Sequence, residues 1–278
     1  MVLLLAWANF HDRLMLCLNI RPDPTTPAVP LDVEFPAEAF VIRTTPPQPS
    51  GQVSATGVTT DAAADHTVSN AESYDDLQLR LESQRARPTR LKIPEWDAIV
   101  RNLPEGLMQR PTEIIWYRIV FGYAPELAVP FELVMRTAGS EAGSGWDRVF
   151  AGSLFWVTTQ AMQCPYCMGH CEMNWEVAGL TPDEIASRSR LLAGYTWSAF
   201  PPREQQAFEF ARKLSQTPWA ISSDDVGRLQ AGFGSDMALV LILNACRYHY
   251  MTRISNGFQL TLERDNVFWD YFGTKPSR

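Results

Sequence analysis

Residues 164 to 171 read Cys-Pro-Tyr-Cys-Met-Gly-His-Cys, which gathers three of the chain's five cysteines and one of its four histidines. A Cys-x-x-Cys beside a histidine supports three kinds of chemistry: a redox dithiol, a metal site, or a nucleophile with its base. Pro165 suits a first helical turn and places Cys164 at a helix N-terminus. Unpaired amides and the helix dipole favour an anion there, so the position is expected to lower a thiol pKa. Cys167 follows about one turn later on the same face, within disulfide reach. His170 and Cys171 come three and four residues after Cys167 and flank that face. His170 can exchange a proton near neutral pH. Zinc held by Cys164, Cys167 and either His170 or Cys171 is a second reading, although one short helix would crowd a tetrahedral ion. No second Cys/His pair follows at finger spacing. Thiols that merely pack are a third reading. Cys17 and Cys246 stand apart in apolar, helix-like surroundings and read as small buried hydrophobes.

The elements around the cluster read as helices. Tyr74 to Arg87, Pro94 to Gln109, Pro111 to Gly122, Pro125 to Arg136 and Gly143 to Gln163 precede it. The cluster opens a helix that ends near Gly179, and Thr181-Pro182-Asp183-Glu184 then caps the next. Pro202 to Leu214, a helix capped by Ser222 or Ser223, and a long apolar helix over Ser235 to Gly257 complete the pattern. Strand signals are scarce. The reading is an all-α body over residues 73–272. A Pro/Thr/Ala/Ser-rich linker over 21–72, expected to be mobile, precedes it and contains His66. Residues 1–20 form a further helix. Val2 to His11 resembles Val240 to His249, with Phe10 opposite Tyr248 and His11 opposite His249. The likeness reads as the closing helix of a preceding repeat, with chance similarity of two amphipathic helices as the alternative.

Composition narrows the classes. Of 278 residues, 46% are hydrophobic and 20% charged, as in a soluble globular protein. A net charge of -7 without Lys/Arg runs argues against a nucleic-acid groove. The odd, clustered cysteine count favours a reducing compartment, and a cytoplasmic location is expected. The apolar start, Met1 to Leu5, lacks a preceding basic residue and is interrupted by Asn9, His11, Asp12 and Arg13. It reads as neither an export signal nor a membrane span. Trp116, Trp156, Trp175 and Trp197 read as core. His249 reads as a satisfied core histidine.

Cys164-Pro165-Tyr166-Cys167, the histidine after it, and Val177-Ala178-Gly179-Leu180-Thr181-Pro182-Asp183-Glu184-Ile185 resemble the carboxymuconolactone decarboxylase and alkylhydroperoxidase-D-like family. Phe200 to Ala211, Ile221 to Val226, and Tyr248, His249, Arg253 and Ile254 on the closing helix agree with that register, so the resemblance covers about residues 95 to 265. It implies an all-helical fold that assembles as trimers or hexamers, with no cofactor and no metal. It also implies a thiol-dependent peroxidase in which Cys167 attacks a hydroperoxide, Cys164 resolves it as a disulfide, and a dithiol protein partner reduces the pair. His170 is the implied proton donor, with Cys171 and Glu172 as auxiliary candidates.

Two positions depart from the family's pattern. Peroxidase members place the histidine four residues after the second cysteine; here Cys171 stands there and His170 is one residue early. One residue rotates a helical side chain by about 100°. Those members also carry a glutamate about twelve residues before the first cysteine, where this chain has Gly152 and then Ser153. The relay is therefore expected to be incomplete, with Glu172 or Glu176 as substitutes, although each reads first as a solvated helix residue. The decarboxylase branch does not depend on the dithiol, and both cysteines argue against it. A non-catalytic redox or assembly module of the same fold, and a zinc-binding structural protein, are the alternative functions.

Overall fold

The computed structural model describes residues 2–20, 74–101, 103, 104, 107, 112–141, 147–194 and 197–272. Among these, every regular element is helical. The order is α1 (Val2–Cys17), α2 (Tyr74–Ala86), α3 (Trp96–Val100), α4 (Ile115–Tyr123), α5 (Pro125–Glu141) and α6 (Arg148–Ala161). Then follow α7 (Pro165–Val177), α8 (Pro182–Ala193), α9 (Pro202–Gln216), α10 (Ser223–Phe233), α11 (Ser235–Phe258) and α12 (Phe268–Phe272). The linker assigned to 21–72, with His66, lies outside the described residues, as do the expected helix starts at Pro111 and Gly143.

Side-chain chemistry explains the boundaries near the cluster. Thr181 and Glu184 form a reciprocal capping box at the start of α8, and Ser222 and Asp225 do the same for α10. The helix expected over Pro94 to Gln109 shortens to Trp96–Val100. Pro104 disfavours helical backbone at Leu103 and brings no amide of its own, so the chain turns out there.

The centre of the body is built from α6, α7, α9 and α11, with α6 packed on both α7 and α9. Leu154, Trp156, Trp175, Phe208 and Leu241 are wholly enclosed. Each such side chain contributes about 1.5–3 kcal/mol by leaving water.

Helix α1 belongs to the same compact unit and packs mainly on α11, the helix its sequence resembles. Its buried stripe is Leu3, Ala6, Phe10, Arg13 and Cys17, an alternating three-and-four spacing that keeps one seam against a partner helix. Gly257 admits the start of α1, since a Cβ there would sit 2.6 Å from Val2 Cγ1. The resembling histidines differ in setting: His11 is exposed, whereas His249 is buried. His249 Nε2 shares a 3.2 Å hydrogen bond with Ser215 Oγ, and its Nδ1 has no partner, so this core histidine is only half satisfied. Cys17 and Cys246 are buried as expected but are not isolated. The packing of α1 on α11 brings the two thiols into a hydrogen bond with each other, beside Arg13.

Candidate functional site

The turn between α6 and α7 sets the dithiol. Gln163 takes a left-handed conformation (φ 52°), and Asn256 of α11 donates to the carbonyls of Met162 and Gln163. That reversal delivers Cys164 to the N-cap of α7 with Pro165 in the first turn. Cys164 Sγ and Cys167 Sγ are free thiols 2.8 Å apart, both buried. The spacing is longer than a disulfide bond of about 2.05 Å and needs only a small approach to become one.

The thiols join a hydrogen-bond chain. Cys164 donates to Cys167, Cys167 donates to Ser255 Oγ at 3.4 Å, and Ser255 donates to the Met251 carbonyl at 2.9 Å. A thiolate at either sulfur can accept a hydrogen bond from the other thiol. The helix N-terminus does not lower the Cys164 pKa as expected. Burial raises it well above the ordinary thiol value, and the hydrogen bond to Cys167 adds to the rise. Desolvation thus outweighs the helix dipole at this sulfur.

His170 meets a carboxylate that sequence reasoning missed. Its Nε2 lies 2.7 Å from Glu263 Oε2, across 93 residues. The other oxygen, Glu263 Oε1, accepts from the Ile115 amide at 2.7 Å and from Tyr166 OH at 3.0 Å; Tyr166 OH in turn accepts from the Trp116 amide. Burial works against the Glu263 charge, but His170 and the donated hydrogen bonds hold its pKa below the usual carboxylate range. Glu263 reaches the site on the segment between α11 and α12. Gln84 donates to the Leu260 carbonyl, the Leu262 amide donates to the Gln84 carbonyl, and Asn266 donates to the Met173 carbonyl at 2.8 Å. Leu262 seats against the bare face of Gly169, where a Cβ would lie 2.5 Å from a Leu262 methyl.

Both departures noted in the sequence have a structural counterpart. A glutamate at position 152 has no room: a Cβ on Gly152 would stand 2.6 Å from the Trp175 indole nitrogen. The carboxylate instead comes from the C-terminal side, and the histidine one position early is the one it meets. His170 therefore has a buried glutamate partner that the sequence did not disclose. Neither proposed substitute fills that place. Glu172 accepts from Gln78 of α2 and Ser189 of α8, and burial raises its pKa. Glu176 accepts from Asn266. The weak signal for Glu263 was an acid directly after Leu260-Thr261-Leu262, beyond the closing helix.

Cys171 is wholly buried and hydrogen-bonds Thr159 of α6, with its pKa raised well above normal, first by burial. Among the described residues no group of three or more His, Cys, Asp or Glu is arranged to hold a metal. The sequence's zinc reading needed His170 or Cys171 beside the pair, and each has another partner.

His170 lines a cavity of about 490 Å³. Its walls include Trp116, Phe155, Tyr248 and Tyr271, and Met251 and Arg148 also line it. Two helices run from the dithiol to this cavity: α11 from Ser255 to Met251, and α7 from Cys167 to His170, each about one turn. No hydrogen bond joins His170 to either sulfur among the described residues. Of the four tryptophans read as core, Trp156, Trp175 and Trp197 are interior, while Trp116 is buried and also walls the cavity.

No helix among the described residues is long and apolar enough to cross a membrane. Comparison of the chain with protein-family models, curated proteins and solved structures finds no match.

Proposed function

We propose that this chain is a thiol-dependent peroxidase of the alkylhydroperoxidase-D-like kind, working through Cys167 and Cys164. The observation that carries the reading is the buried pair of free thiols 2.8 Å apart at the start of α7, with a glutamate-paired histidine one turn away.

The chemistry proceeds in three balanced steps. The Cys167 thiolate attacks the distal oxygen of a hydroperoxide; the O–O bond breaks, the leaving alkoxide takes a proton to become the alcohol, and Cys167 becomes a sulfenic acid. Cys164 then attacks that sulfur, forming the disulfide and releasing water. A dithiol reductant exchanges with the disulfide, returns both thiols and is itself oxidised. Cys167 takes the nucleophile's role by resemblance to the family, and Cys164, 2.8 Å away, can donate a hydrogen bond to its thiolate. His170, oriented by Glu263, is the proton donor for the leaving alkoxide. Reduction by a dithiol protein and assembly into a trimer or hexamer complete the proposal. Leu4, Leu5 and Trp7 on α1 and Leu133 and Val134 on α5 are exposed apolar side chains suited to a partner surface.

The test is peroxide consumption by the purified, reduced protein. The reading expects turnover that Cys167→Ser abolishes. No turnover by the wild type, or full turnover by Cys167→Ser, removes it. A second reading, a redox or assembly module without peroxide turnover, draws support from the near-complete burial of both sulfurs, 0% and 1% exposed. It expects slow oxidation of the dithiol and a stable oligomer that consumes no peroxide.

A further inference from the structure

The cavity lined by His170 has a composition that the peroxidase reading does not require. Hydrogen peroxide would need no aromatic enclosure, and 490 Å³ is in the range of small-molecule sites. Its charges can be paired off one by one. Arg247 Nη2 donates to Glu132 Oε2 at 3.1 Å, and Tyr117 OH also donates to Glu132. Burial opposes the Arg247 charge, but Glu132 outweighs it and raises the pKa. His170, also in the lining, is paired with Glu263. Arg148, at the start of α6, remains. It is exposed, stacks on the Phe272 ring at 4.0 Å from the centroid, and forms no salt bridge among the described residues. Among the described residues, the lining therefore combines apolar aromatic walls, a cation without a carboxylate partner at Arg148, and the His170–Glu263 pair.

We infer that the cavity binds a monoanionic organic hydroperoxide, an aryl or alkyl chain with a carboxylate at one end. The apolar chain lies between Trp116, Phe155 and Tyr248, the carboxylate meets Arg148, and the peroxide end faces His170 and Met251. This inference rests on the peroxidase reading for the reacting group and on the cavity alone for the anion and the chain. Neither sulfur is among the lining residues, and Cys167 lies about one helical turn from His170, so side-chain movement must open the last stretch before attack.

The experiment uses unreactive analogues. Phenylbutanoate and the uncharged phenylbutanamide are titrated calorimetrically into the reduced, full-length protein at low and high salt. Consumption of an organic hydroperoxide, tert-butyl hydroperoxide, is measured on the same preparation with a dithiol reductant present. The acid is expected to bind about two- to fivefold more tightly than the amide, the scale of an exposed ion pair. That preference should shrink in high salt and vanish in Arg148→Gln. Ala151→Phe, which fills the cavity from α6, should abolish binding of both compounds. Equal binding of acid and amide, absence of binding, or undiminished binding to Ala151→Phe overturns the assignment of the cavity, whatever the peroxide assay shows. Selective binding of the acid by a protein that consumes no peroxide overturns the hydroperoxide part and, with it, the peroxidase reading, while leaving the anion site standing.

Discussion

Glu263 Oε2 stands 2.7 Å from His170 Nε2, and this pair joins the cysteine helix to a segment that has no regular structure of its own. The carboxylate is buried, accepts three hydrogen bonds and is held ionised by them. Replacing it by glutamine keeps the shape and removes the charge. Glu263→Gln is expected to lower peroxide turnover by about 10²-fold, the lower end of what a positioned acid or base contributes. It should also cost about 1–3 kcal/mol of stability through imperfectly matched buried hydrogen bonds. Steady-state kinetics and denaturant melts on the same variant separate the two effects. Because the folded pKa lies below the unfolded value of 4.5, the wild-type stabilisation from Glu263 is present above pH 4.5 and is lost as pH falls below it.

Gly169 controls where Glu263 sits. Its missing Cβ makes room for Leu262, the residue before Glu263 in sequence. Alanine improves helix propensity by about 1 kcal/mol, but overpacking a closed core costs about 1–3 kcal/mol. Gly169→Ala is therefore expected to change stability by little or to lower it by about 2 kcal/mol. Its larger effect should be on turnover, since the Leu262 shift carries Glu263 away from His170. Adding Leu262→Ala should relieve the clash without restoring turnover, as measured by kinetics on the single and double variants.

Restoring the glutamate expected by family resemblance should fail. Gly152→Glu drives a side chain into the Trp175 indole, which is wholly buried and donates to the Val149 carbonyl. The expected loss is at least about 3 kcal/mol. In an Glu263→Gln background the same substitution should lower activity further. Recovery of turnover in that double variant would show that the acid can act from α6 after all.

His249 gives the fold an acid sensitivity separate from the site. Burial lowers its pKa well below 6.5, and Arg13 and Arg253 lower it further. Below pH 6.5 the unfolded chain binds a proton that the folded chain refuses, so stability falls as the pH drops from about 6.5. Melting temperatures between pH 7.5 and 5 should decline in the wild type and less steeply in His249→Gln, where the titrating group is gone.

The parts of this architecture that were legible in the sequence are those fixed by local chemistry. Thr181 with Glu184 and Ser222 with Asp225 announced helix starts because capping is a three-residue affair. Cys164 and Cys167 met because one helical turn separates them. What was illegible depended on long-range packing. Glu263 lies in a stretch without periodicity, and only the docking of Leu262 on Gly169 brings it to His170. Cys17 and Cys246 touch because α1 packs on α11, which neither cysteine's surroundings disclose. The helix dipole suggested a lowered Cys164 pKa, but the depth of burial that reverses it is a property of the assembled core.

The most direct test of the account is the state of the two sulfurs after one turnover. Fully reduced protein is treated with one equivalent of hydroperoxide, alkylated and mapped by mass spectrometry. The account predicts a disulfide joining Cys164 to Cys167, with one equivalent of alcohol released and Cys17, Cys171 and Cys246 still alkylated as thiols. Cys164 and Cys167 both recovered as alkylated thiols, with the peroxide unconsumed, would contradict it.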